Sequence, residues 1–126
     1  TAAIRALDVY DFVFLHLKGT DEASHDGDFK SKKEMIERID GEVIGPILRE
    51  IKDATIALTA DHSTPVGIKQ HSADPVPIAV LGDVRTDDIK RFTERECAKG
   101  GLNRIRGLYL LSIILDISDR IKLFGA

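Results

Sequence analysis

The sequence predicts an α/β fold, a parallel sheet with flanking helices, and three observations lead to it. Residues 11–18 form an almost unbroken apolar run that includes Phe12, Val13, Phe14, Leu15 and Leu17. Residues 54–60 form a second, shorter run around Ile56 and Leu58. Between them, residues 29–51 place Met35, Ile36, Ile39, Val43, Ile44, Ile47, Leu48 and Ile51 at helical spacing, with Lys and Glu in the gaps. A run that is apolar at nearly every position suits a strand covered on both faces, as in a parallel sheet. Strand, helix and strand in that order make a βαβ unit with a right-handed crossover.

The other elements follow in order. Residues 2–7 read as the end of a helix with no cap before it. Residues 19–28 are polar and read as a loop, with Asp28 placed to cap the helix that starts at Phe29. Gly41 and Pro46 bend or divide that helix. Residues 77–81 are a third strand candidate, and residues 82–101 a polar loop with one helical turn. Residues 108–121 close the chain as an apolar helix. The opening in mid-helix and the ending at Phe124, Gly125 and Ala126 create the expectation that residues 1–126 are the C-terminal part of a larger domain, with apolar surface left uncovered.

Composition narrows the function. A net charge of −3 with no basic stripe gives no footprint for nucleic acid. No apolar run is long enough to cross a bilayer, since residues 108–117 are few and include Ser112 and Asp116. Cys97 is the single cysteine, which rules out an internal disulfide and makes a cytoplasmic location the expectation.

Against this background one constellation stands out. Asp21 and His25 follow the first strand candidate, Asp61 and His62 follow the second, and His71 lies in the segment leading to the third. Ligands of open α/β sheets bind beyond the carboxyl ends of the strands, so this placement gathers carboxylates and imidazoles on one edge. Carboxylate oxygen together with neutral imidazole suits zinc, manganese or iron, whereas calcium takes oxygen almost alone. Loop capping is the alternative for each acid, since Asp binds its own backbone in Asx-turns and Asp61 is placed to cap a following turn. His16, inside the first run, reads as a core or ligand-orienting histidine. Lys18 reads as a solvated lysine, and Lys99, Gly100 and Gly101 as a turn that lacks the spacing of a phosphate-binding loop. Cys97 has neither a matched base nor a glycine-bounded elbow, which argues against a nucleophile.

Three strings carry a resemblance: residues 18–28 around Asp21 and His25, residues 59–65 around Asp61-His62-Ser63-Thr64-Pro65, and residues 71–77 around His71-Ser72-Ala73-Asp74-Pro75. They resemble the archaeal-type, cofactor-independent phosphoglycerate mutases of the alkaline phosphatase superfamily. Phe92-Thr93-Glu94, residues 98–107 and residues 122–126 extend the likeness over almost the whole chain, with Asn103 standing where a glycine is expected.

The resemblance implies two divalent ions, manganese or zinc, with Asp21, His25 and His71 on one. Asp61 and His62 would hold the other, completed by an aspartate and a nucleophilic Ser or Thr from an N-terminal part. That part, and the family's arginine-rich substrate domain, have no match here. The implied reaction interconverts 3-phosphoglycerate and 2-phosphoglycerate, with phosphoglycerate as the partner and a homo-oligomer or contact with the N-terminal part as further expectations. Another phosphatase or phosphomutase of the superfamily and a non-catalytic remnant are the alternatives.

Overall fold

The computed structural model describes residues 2–121, so the likeness at residues 122–126 lies outside the described residues. The chain folds as two compact units. The first comprises residues up to Asp53 together with Thr64–Ser72, and the second comprises Ala54–Ser63 together with the chain from Ala73 onward.

In the first unit, helix α1 spans Ala2–Ala6, as the uncapped opening suggests. Helix α2 spans Gly19–Asp26 and helix α3 spans Phe29–Ile39. Asp28 caps α3 as expected: its Oδ1 accepts from Ser31 N at 2.9 Å and its Oδ2 from the Ser31 hydroxyl at 2.7 Å. The helical reading of residues 29–51 holds, and the division falls where glycine and proline place it. A π-helical turn over Asp40–Ile44 contains Gly41, and helix α4 over Gly45–Glu50 takes Pro46 in its first turn, where the missing N–H has no partner to lose.

In the second unit, strand β1 (Ile56–Thr59) pairs antiparallel with strand β2 (Ile78–Leu81), Ile56 opposite Leu81 and Thr59 opposite Ile78. Gly82 follows β2 because a Cβ there would meet Ile117 Cγ2 at 2.7 Å and Thr55 Oγ1 at 3.1 Å. Thr93 caps the single-turn helix α5 (Glu94–Cys97), accepting from Glu96 N at 3.3 Å. Helix α6 (Leu110–Ile117) follows a 3-10 turn at Gly107–Tyr109 and stops before residue 121, where Asp119 takes a left-handed conformation.

Two expectations need correction. Residues 11–18 form no strand among the described residues, so the parallel pair with residues 54–60 is absent; the sheet described is two-stranded and antiparallel. An apolar run shows that residues suit a sheet interior, but pairing also needs a neighbour with a matching backbone edge, which composition does not report. His16 is exposed instead of lying in a core, with its ring stacked 6.2 Å from that of Phe14. Helices with a small sheet still fit part of an α/β domain. The expected uncovered apolar surface is present: Val9, Tyr10, Phe12, Phe14, Leu15 and Leu17 are all exposed, Phe14 by 78%. Among the described residues no hydrophobic side chain is fully buried, and the buried residues are Ser24 and Thr64.

The Asp28 cap carries a pH dependence. Hydrogen bonds from the Ser31 backbone N–H, then from its hydroxyl, hold the Asp28 carboxyl below its ordinary value of 3.8. A lowered folded value means that the stabilisation is complete above the unfolded value and is lost as pH falls through the folded one. Asp28→Ala should therefore lower the melting temperature by a few degrees at pH 7, and the gap between variant and parent should close below pH 4. Thermal melts followed by circular dichroism across that range check it.

Candidate metal centre

Helix α2 organises the site. The expected loop at residues 19–28 is instead this helix, which Gly27 ends in a left-handed conformation (φ 77°) that glycine adopts without steric cost. Asp21 and Glu22 occupy the first turn, where the helix dipole favours acids. A helix places residues i and i+4 on one face, so Asp21 and His25 project together. His71 arrives from the segment Thr64–Ser72.

The three side chains meet. His25 Nε2 lies 3.2 Å from His71 Nε2, and Asp21 Oδ1 lies 3.4 Å from the first and 3.6 Å from the second. One ligand atom from each of the three falls within 4.8 Å of the others. Ligand atoms around a tetrahedral ion at zinc distances stand about 3.4 Å apart, so the donor set and its spacing fit a divalent ion. The hollow in front of them, about 550 Å³, is completed by Lys18, Glu22 and Asp26.

Three residues not singled out by spacing hold this arrangement. The Thr64 hydroxyl, in a residue only 6% exposed, donates to Asp21 Oδ1 at 2.7 Å. Lys32 Nζ in turn donates to the Thr64 carbonyl at 2.9 Å and ties the segment to α3. The Lys69 carbonyl lies 2.9 Å from His25 Nδ1. The sequence held a faint signal for Thr64, in its position before Pro65 within the string that carries the resemblance; Lys69 had none.

Asp61 and His62 lie just past β1 in the second unit, adjacent to each other. Asp61 Oδ1 accepts from His62 N at 3.0 Å, and Asp61 Oδ2 lies 3.4 Å from His62 Nε2. Lys99, Gly100 and Gly101 form a turn, as read. The Gly101 N–H is bound to Asp87 Oδ2 at 2.7 Å and is not left for an anion. That bond, followed by one from Ile89 N, holds the Asp87 carboxyl below its ordinary value.

Comparison with known proteins adds a second line. The profile of the metalloenzyme superfamily matches residues 1–117. The chain is 53% identical to 2,3-bisphosphoglycerate-independent phosphoglycerate mutase 1 of Archaeoglobus fulgidus, over 99% of this chain and 31% of that protein. It is 52% identical to the 2,3-bisphosphoglycerate-independent phosphoglycerate mutase of Pyrococcus horikoshii, over 98% of this chain and 31% of that protein. A solved structure from Pyrococcus horikoshii superposes with a TM-score of 0.94 at 52% identity, over 99% of this chain and 38% of that one. The chain thus spans about a third of the length of these relatives.

Thr64→Val keeps the side-chain shape and removes the donor to a carboxylate, which should cost about 2 kcal/mol of stability. Thr64→Ser should retain most of it. Urea denaturation of the three proteins makes the comparison.

Proposed function

Because the chain belongs to the metalloenzyme superfamily, we propose that it is the C-terminal, metal-holding part of a cofactor-independent phosphoglycerate mutase. The observation that carries the proposal is the convergence of Asp21, His25 and His71 at spacing suited to a divalent ion. The names of the similar proteins, at about half identity, support the choice of reaction.

In this reading Asp21, His25 and His71 hold one divalent ion, manganese or zinc. Asp61 and His62 contribute to a second, with groups that this chain does not supply. Such ions lower the pKa of an attacking hydroxyl and offset charge on the phosphoryl oxygens. The chain's own residues provide the holding. Helix α2 fixes the Asp21–His25 pair, Thr64 steadies the carboxylate, and His71 closes the set. The substrate proposed is phosphoglycerate, the setting glycolysis and gluconeogenesis, and the location the cytoplasm, the last resting on the lone cysteine. Among the described residues no helix is long and apolar enough to cross a membrane. Contact with the remaining part of the enzyme, or with a second copy, belongs to the same proposal.

Calorimetric titration tests the binding half. The 126-residue chain should take up Mn²⁺ or Zn²⁺ at the three-ligand position, and His71→Ala should abolish that uptake. The chain alone should show no mutase or phosphatase turnover, since it offers no nucleophile to carry the phosphoryl group. In a full-length version, His25→Ala should lower formation of 2-phosphoglycerate by several orders of magnitude with the fold intact. Robust turnover by residues 1–126 alone would overturn the division of labour proposed.

A further inference from the structure

We propose that Lys69 is a positioning residue that selects the His25 tautomer, keeping the proton on Nδ1 so that the Nε2 lone pair faces Asp21 and His71. The inference rests on the metal-holding reading for its purpose, but its geometry stands apart from it.

A carbonyl oxygen can only accept a hydrogen bond. The Lys69 carbonyl, 2.9 Å from His25 Nδ1, therefore requires the proton to sit on Nδ1. With the proton there, Nε2 keeps its lone pair, and this is the atom 3.2 Å from His71 Nε2 and 3.4 Å from Asp21 Oδ1. A ring nitrogen can bind a cation only through such a lone pair, and the partner of the other nitrogen decides which one is available.

The backbone at Lys69 is built for this contact. Its φ of 54° is left-handed, a conformation that residues other than glycine seldom adopt. Two hydrogen bonds set up the turn: Ile68 N and Lys69 N both donate to the Pro65 carbonyl at 3.1 Å. The side chain adds a hold of its own. It passes over Gly27, at the place a Cβ would need, and Nζ donates to the Asp26 carbonyl at 3.1 Å. Lys69 is thus fastened to the end of the helix that carries His25, with its carbonyl facing that ring.

Two substitutions separate the backbone role from the side chain. Lys69→Asn and Lys69→Val both lose the amine, but asparagine tolerates the left-handed conformation and a β-branched residue resists it. Long-range ¹H–¹⁵N correlation spectra of the metal-free 126-residue chain report which ring nitrogen of His25 is protonated. Calorimetry with Zn²⁺ alone reports affinity. The parent and Lys69→Asn should show His25 protonated at Nδ1, with dissociation constants within a few-fold of each other. Lys69→Val should lose that signature and bind Zn²⁺ at least about tenfold more weakly.

Protonation of His25 at Nε2 in the parent would overturn the proposal, and that measurement stands even where Lys69→Val fails to fold. So would a Lys69→Val chain that folds and keeps both the parent's ring signature and its affinity. A parent that binds no Zn²⁺ yet shows the Nδ1–H ring would count against the metal reading while upholding the tautomer assignment.

Discussion

The hydrogen bond from Thr64 to Asp21 joins residues 43 positions apart, and the rest of the site depends on the contact it makes. Through it the segment Thr64–Ser72 is laid against helix α2. Once it is there, the Lys69 carbonyl reaches His25, Lys69 Nζ reaches the Asp26 carbonyl, and His71 comes to the exposed face of the same helix. Thr64 and Ser24 are the buried residues among those described, so this contact lies at a well-covered place in the first unit. A charged acceptor and a covered hydroxyl make a stronger tie than the exposed ion pairs along α3, such as Lys30 with Glu34, which solvent screens.

How much of this the sequence disclosed depends on the range of the interaction concerned. The α3 cap at Asp28 and the break near Gly41 and Pro46 are local, set by residues within a few positions of each other, and both were readable from the sequence. Strand β2 was readable as a candidate although β1 completes its ladder from far along the chain, and the helical turn in residues 82–101 was readable without its position or its Thr93 cap. Helix α2 was missed because Gly19, Ser24 and Gly27 look like loop punctuation. Gly27 is the helix stop, and Ser24 folds its hydroxyl back onto the Thr20 carbonyl at 2.8 Å. The spacing of Asp21 and His25 was itself the helical signal.

Residues 11–18 failed in the opposite way. Their composition describes the surroundings of a sheet strand, while a strand exists only where a partner edge is present. Of the five candidate ligands, three converge as a group, and Asp61 and His62 pair with each other. Thr64 and Lys69 act through a hydroxyl and a main-chain carbonyl, groups that residue type alone does not mark as functional.

The order of these residues along the chain has a further consequence. Asp21 and His25 are preset by one helical turn, whereas His71 is 46 positions from His25, so the site is a ring closed over a long stretch of polypeptide. The entropy of closing such a ring grows only with the logarithm of its length, so doubling the stretch costs about 0.6 kcal/mol. That tolerance belongs only to the flexible connections of the stretch between His25 and His71, since α3, Thr64 and Lys69 within it hold the site. The stretch leaves the first unit after Asp53 to supply β1 to the second, and returns at Thr64.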